Sequence, residues 1–283
     1  MSPAARRGIR LPGSYAARAR DVLAGRITPA EPRDAATVML LRPSADGGLE
    51  VYLLRRRSSM AFAPGAFVFP GGSADTRDAD TEVGWAGPDA AEWGRLLDAP
   101  ADLARVLVCA AVRETFEESG VLLAGPTAGT VVGSTAGEDW EAGRAALLDG
   151  SLSLAGLLAG QGLVLRSDLL RPWSRWITPV TEERRYDTRF FAAALPPGQG
   201  AWDASGETDG AGWFRPAEAL AAARRGEIVL LPPTAVTLGE LEACRDVAAA
   251  LTARRRITAL IPEVVVADGA VWLTVPPGTE YPL

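Results

Sequence analysis

One segment constrains this chain more than any other. Between Ala101 and Ser119 the spacing predicts a helix, and its middle, Val106–Val112, is almost wholly apolar. Such a helix is packed between other elements rather than laid on a surface. Gly120 stands where a C-terminal cap is expected. The last two turns carry Glu114, Glu117 and Glu118, spaced i, i+3 and i+4, on one face. That placement is unfavourable. The negative end of the helix dipole disfavours anions, and like charges at i, i+4 repel by about 0.2–0.5 kcal/mol. A divalent cation reverses the sign of both effects, because clustered charge then becomes ligand charge. A solvated acidic helix end is the alternative reading of the triplet.

Composition narrows the chemistry. The chain of 283 residues has no histidine, and all 29 of its basic residues are arginine. Ser-His-Asp and Cys-His nucleophiles, His-ligated zinc, Schiff-base lysines and P-loop lysines are therefore excluded. Carboxylates with a hard, oxygen-seeking metal ion remain as the leading enzyme chemistry. The net charge of −6 argues against a nucleic-acid coat. No apolar run reaches a membrane span, and the N-terminus, with Arg6, Arg7 and Arg10, lacks a signal-peptide core. The expectation is a cytoplasmic protein without membrane or nucleic-acid partners. Cys109 and Cys244 both lie in apolar stretches and read as buried free thiols.

Along the chain, residues 1–33 read as an extension with a short helix near 14–24, and 34–283 as one domain. Ala36–Arg42 and Leu49–Arg56 flank Asp46-Gly47-Gly48 and predict a β-hairpin. Met60–Gly72 (MAFAPGAFVFPGG) is a loop and short strand ending in a glycine turn. Insertions are expected at about 73–100, with a helix over 88–98, and at 137–170, with two helices. Strands follow at 175–179 and 187–195, a Gly-rich loop at 198–212, and a strand from Trp213. Helices are expected at 216–225 and 234–255, and a closing strand pair around Asp268-Gly269. This order suits layered α/β packing.

Arg113-Glu114-x-x-Glu117-Glu118-x-Gly120-Val121 resembles the second half of the Nudix box, and Pro70-Gly71-Gly72 resembles its opening. The family pattern is Gly, five residues, Glu, seven residues, then Arg-Glu-U-x-Glu-Glu-x-Gly-U, with U apolar. From Gly72 to Arg113 the chain is about 27 residues longer than that pattern. Counted back from Arg113, the first box glutamate falls on Arg105, and Thr115 takes a usually apolar place. Met60–Gly72, Trp176–Pro179, Arg184–Phe191 and Leu231–Thr234 are similar to the branch that includes peroxisomal acyl-CoA diphosphatases and their bacterial relatives, which also has a long insertion inside the box. That branch's coenzyme A signature is partly present: Arg56-Arg57-Ser58 matches loosely, while Ala61 replaces an arginine.

The resemblance implies a Nudix-type α/β/α sandwich with a mixed sheet. It implies hydrolysis of a nucleoside-diphosphate-linked small molecule with Mg²⁺ or Mn²⁺, with coenzyme A or acyl-CoA as the leading substrate. ADP-ribose, NADH or a nucleotide sugar are alternatives, as is a non-catalytic Nudix-fold binding module. By the same resemblance Glu117, Glu118 and Glu114 with the Gly71 carbonyl hold metal, Glu114 doubles as a candidate base, and Arg113 orients it. Glu207, with Asp209 second, is the candidate loop acid. Arg55, Arg56, Arg57, Arg185 and Arg189 are candidates for gripping phosphate, since arginine suits bidentate contacts. Phe62 and Phe67 are candidates for lining a substrate pocket, although aromatics of this kind more often belong to the core. A homodimer is an expectation from the family.

Overall fold

Strand Arg33–Pro43 runs through the middle of a nine-stranded mixed sheet, and its side-chain alternation divides the molecule into two cores. Ala36, Val38 and Leu40 enter one, Met39 and Leu41 the other. Its neighbours repeat the pattern. Tyr52 and Leu54 of Leu49–Arg56, and Phe191 and Ala193 of Tyr186–Ala194, join the first core. Val51, Leu53, Phe190 and Ala192 join the second. Helix Ala101–Ser119 covers the first face with Leu107, Val108, Val112 and Phe116. Helix Pro232–Glu242 covers the second with Ala235, Val236, Leu238 and Leu241. With both faces covered, the central strands read as nearly continuous apolar runs, and the result is an α/β/α sandwich. The computed structural model describes residues 8–59, 63–203, 208–276 and 278–283.

Across the sheet lie Val229–Leu230, Ala66–Val68, Leu49–Arg56, Arg33–Pro43, Tyr186–Ala194, Arg171–Ile177 and Ala259–Leu260. Tyr186–Ala194 runs parallel to Arg33–Pro43, with Asp187 beside Asp34. Gly71–Ser73 adds antiparallel to residues 35–37, which seats the glycine turn under helix Ala101–Ser119. Thr208–Phe214 adds to Leu49–Arg56, with a bulge between Thr208 and Ala211. The predicted hairpin forms, and Gly47 supplies the positive φ of 92° that its turn needs.

The segment after the glycine turn forms a 3₁₀ helix, Thr76–Ala79, and a helix, Ala90–Leu97, packed against Ala101–Ser119. Two helices, Glu138–Leu148 and Leu154–Gly160, occupy the second region where helices were expected. A small sheet of Trp85–Ala86, Val164–Arg166 and Ala124–Gly125 ties these regions together.

Three expectations are corrected. The Gly-rich loop is shorter than 198–212, because residues 208–212 already belong to the strand Thr208–Phe214 that pairs with Leu49–Arg56. Residues 234–255 are not one helix. Pro232–Glu242 ends before Asp246, whose extended backbone and side chain, accepting from Ala249 N–H at 2.7 Å, start a separate helix, Val247–Thr252. The closing pair is shorter, Glu263–Ala267 with Ala270–Thr274, while Ala259–Leu260 joins the large sheet beside Arg171–Ile177. Pro262 between them lacks the N–H needed to continue one strand. Asp268 and Gly269 both have positive φ, 52° and 74°, as a two-residue hairpin turn demands. This hairpin packs through Val271 on Ala16 and Ala19 of helix Gly13–Leu23, so the N-terminal segment folds against the C-terminal one. Both cysteines are free, and they sit in opposite cores. Among the described residues no helix is long and apolar enough to cross a membrane.

Candidate active site

The end of helix Ala101–Ser119 is built around one buried arginine. Arg113 is 5% exposed, and its five N–H groups meet five acceptors. Nε and Nη2 fork onto Asp78 at 2.9 Å each. Nη1 donates to Glu114 at 2.7 Å and to Glu117 at 3.1 Å, and Nη2 also reaches the Ser73 carbonyl at 3.0 Å. The guanidinium thereby pins the helix to the glycine turn and to the segment after it.

Glycine lets the turn come this close. A Cβ on Gly72 would lie 2.6 Å from the Glu114 carboxylate, and one on Gly71 would lie 2.5 Å from the Ala36 carbonyl. Gly71 N–H donates to Glu118 Oε2 at 2.8 Å. The helix stops at Gly120, whose φ of 70° suits only glycine readily, and whose missing Cβ leaves room for the Trp202 ring. Thr115, in its usually apolar place, is wholly buried and satisfied by donating to the Ala111 carbonyl at 2.7 Å.

The electrostatics are lopsided. Asp78, Glu114 and Glu117 share one arginine inside the protein, with Glu118 at the edge. Burial pushes Glu114 up to about 7, and the neighbouring Glu117 adds to this against the pull of Arg113. Burial also raises Glu117. Arg113 is held above its ordinary value: burial opposes its charge, but the Asp78 fork and the two glutamates outweigh that.

Glu117 Oε1 is buried and has no hydrogen-bond partner. A buried acceptor left bare is costly, so this oxygen fits a cation ligand. The whole donor set is oxygen, which suits a hard divalent ion. Among the described residues, however, no three acidic side chains stand in ready metal-holding geometry. Glu114 and Glu117 each give one oxygen to Arg113, and Glu118 turns to the Gly71 amide.

Asp78 is the member of this site that counting back from Arg113 misses. Counting forward from Gly72 by the family's five-residue spacer lands on it. The additional residues therefore follow Asp78 rather than precede it. Asp78 is 2% exposed and is aimed at Arg113 by the capping box of its 3₁₀ helix, in which its side chain also accepts from Asp75 N–H at 2.8 Å. Arg105 has a different occupation. It donates to the Thr81 carbonyl at 3.0 Å and its guanidinium stacks 4.9 Å from the Trp85 ring, so it fastens the inserted segment.

The other candidates scatter. Arg189 is 1% exposed and bonds Asp187 and the Leu97 carbonyl, so it is a core residue and not a surface grip for phosphate. Arg185 is half-buried and donates from Nε to the Thr178 carbonyl and from Nη1 to the Ala30 carbonyl. Both were candidates for gripping phosphate, but a side chain's face is set by which sheet neighbour covers it. Arg55 and Arg57 are exposed at the end of strand Leu49–Arg56, and Arg56 is half-buried there. Asp209 accepts from Ser58 N–H at 3.1 Å, which holds its strand against that arginine end. Phe67 packs edge-on to Phe214 in the second core, away from the carboxylates. Phe62 and Glu207 lie outside the described residues.

Residues 87–241 match the model of the NUDT19 Nudix domain. Acyl-coenzyme A diphosphatase NUDT19 of Xenopus laevis is 28% identical over 229 residues, covering 68% of this chain and 59% of that protein. The human protein of the same name is 29% identical over 228 residues, covering 68% and 60%. This chain thus spans about three fifths of the length of these curated relatives. The crystal structure of a Nudix hydrolase from Alicyclobacillus acidocaldarius superimposes with a TM-score of 0.65 at 30% identity, covering 79% of this chain and 97% of that one. The chain belongs to the Nudix family, with the NUDT19 Nudix domain as its matching branch.

Proposed function

We propose that this protein hydrolyses the diphosphate bond of a nucleoside-diphosphate-linked small molecule, with coenzyme A or acyl-CoA as the leading substrate and Mg²⁺ or Mn²⁺ as the metal. Family membership supports the reaction class, and the names of the relatives support the substrate. The observation that carries the reading is the excess of buried carboxylates around Arg113, with the Glu117 oxygen left bare.

In this reading Glu117, Glu118 and Glu114 hold the metal, joined by the Gly71 carbonyl. When bound, the ion neutralises diphosphate charge and lowers the pKa of a coordinated water. The chain's own groups do the rest. Arg113 holds Glu114 and Glu117 at fixed distances, so little reorganisation remains for the reaction. Asp78 fixes Arg113 by its bidentate fork. Glu114, held by Arg113 among the carboxylates, is the candidate base, and Glu207 is the alternative. Arg55, Arg56 and Arg57 supply cations for the substrate phosphates. Asp78, rather than Arg105, completes the box.

The test is a panel of CoA, acyl-CoA, ADP-ribose, NADH and a nucleotide sugar, with and without Mg²⁺, comparing wild type with Glu117→Gln. The expected result is metal-dependent cleavage of CoA or acyl-CoA that falls by at least about 100-fold in the variant. Cleavage of ADP-ribose but not CoA overturns the substrate. No turnover of any diphosphate overturns the enzyme and leaves the binding-module reading.

A further inference from the structure

Helix Glu138–Leu148 reaches the carboxylate helix at the residue that matters most. Arg144 Nη1 donates to the main-chain carbonyl of Glu117 at 3.3 Å. Its Nη2 and Nε fork onto Glu141 at 2.7 and 3.2 Å, and its side chain is 12% exposed. This bond has a reason in helix chemistry. The last carbonyls of a helix lose their i+4 donors. Gly120 N–H bonds Phe116, and Val121 N–H, the donor due to Glu117, faces Ser119 Oγ at 3.4 Å instead. Arg144 serves the Glu117 carbonyl, and it brings a cation to the negative end of the helix dipole.

A second contact runs beside the first. Trp140, four residues before Arg144 and on the same helix face, meets Phe116 edge-on at 6.0 Å. Helix Glu138–Leu148 therefore grips residues 116 and 117 through two side chains. Buried Leu147 and the close seat of Gly143 against Leu157 fix the helix itself.

We infer that Arg144 is a positioning residue: by holding the Glu117 main chain it sets where the bare Glu117 oxygen points, and so the affinity of the site for a divalent cation. This rests on the assignment of Glu117 as a metal ligand. The role belongs to the region after the box and is independent of the Arg113–Asp78 fork, because Arg144 acts on the backbone while Arg113 acts on the side-chain oxygens.

The experiment measures Mn²⁺ binding by electron paramagnetic resonance, without substrate, on wild type, Arg144→Met, Arg144→Lys and Glu117→Gln. Thermal denaturation is followed in parallel. Arg144→Met is expected to bind Mn²⁺ about tenfold more weakly, and Arg144→Lys to recover most of the loss. With CoA as substrate, KM at saturating Mn²⁺ should stay at the wild-type value. Wild-type Mn²⁺ affinity in Arg144→Met, beside weakened binding in Glu117→Gln, overturns the role of Arg144 and leaves the metal site standing. Tighter binding in Arg144→Met also overturns it, since Arg144 would then act only as an opposing charge. Unchanged binding in Glu117→Gln overturns the metal assignment and the inference together. Should Arg144→Met fail to fold, Glu141→Gln loosens the fork while keeping the arginine. About threefold weaker Mn²⁺ binding is expected there, and wild-type affinity overturns the proposal.

Discussion

Arg113 and Arg189 each sit at the centre of a buried ion cluster, and the two clusters are balanced differently. Around Arg189, two arginines face two aspartates. Arg189 and Arg175 share Asp187, at 2.5 and 2.6 Å, and Asp34 lies on the adjoining strand. Around Arg113, one arginine faces Asp78, Glu114 and Glu117, with Glu118 beside them. The first cluster is neutral as it stands. Burial lowers Arg189 and raises Asp34, yet each has opposite charges at hand. The second carries surplus negative charge under little solvent, a state that a cation relieves. The contrast separates a tie that holds strands from a cluster suited to binding a metal, although both are built from the same two residue types.

The strongest way to break this comparison is to remove each arginine cluster's key member. Arg113→Met leaves three buried carboxylates without their cation. It should cost about 3–5 kcal/mol in chemical denaturation and abolish turnover, and a loss below about 1 kcal/mol would show that Arg113 is not the hub. Asp187→Ala strips the shared partner from Arg175 and Arg189 and should cost about 3 kcal/mol. Activity per folded molecule and Mn²⁺ stabilisation should survive there. If turnover falls with Asp187, the two clusters are coupled and the division fails.

The smallest expected effect sharpens the picture locally. Cys109 lies on the carboxylate helix one turn before Arg113, and burial pushes its thiol up to about 12. Alkylation at pH 8 should therefore leave Cys109 untouched in the native protein and label the half-buried Cys244 first. In Arg113→Met, Cys109 labelling should accelerate, because it reports opening of that helix. Rapid labelling of Cys109 in the wild type would show that the helix is not firmly seated.

Much of the fold was legible in local pattern. Runs such as Ala36–Arg42 alternate between two cores, so their apolar character predicted buried strands, and Asp268-Gly269 predicted its turn. The carboxylate helix was legible as well, since spacing on one helix face is a short-range signal, whereas the glycines read as a turn form the short strand Gly71–Ser73. The break at Asp246 was not read, because helix periodicity continues past it while a side-chain cap decides the end. Arg185 and Arg189 looked like surface cations because arginine composition carries no information about which neighbour covers a strand.

By itself, then, the sequence determined the chemistry available. With no histidine and no lysine, chemistry was left to carboxylates, arginine, hydroxyls, two thiols and backbone groups, and Glu114, Glu117 and Glu118 had to share one helix face. Tertiary structure alone decided who stands opposite them. Asp78 reaches Arg113 across 35 positions, and Arg144 reaches Glu117 across 27. Such pairings come from packing of whole elements into a sandwich, where burial makes each unpartnered polar group costly and so selects the partner, whatever its distance along the chain.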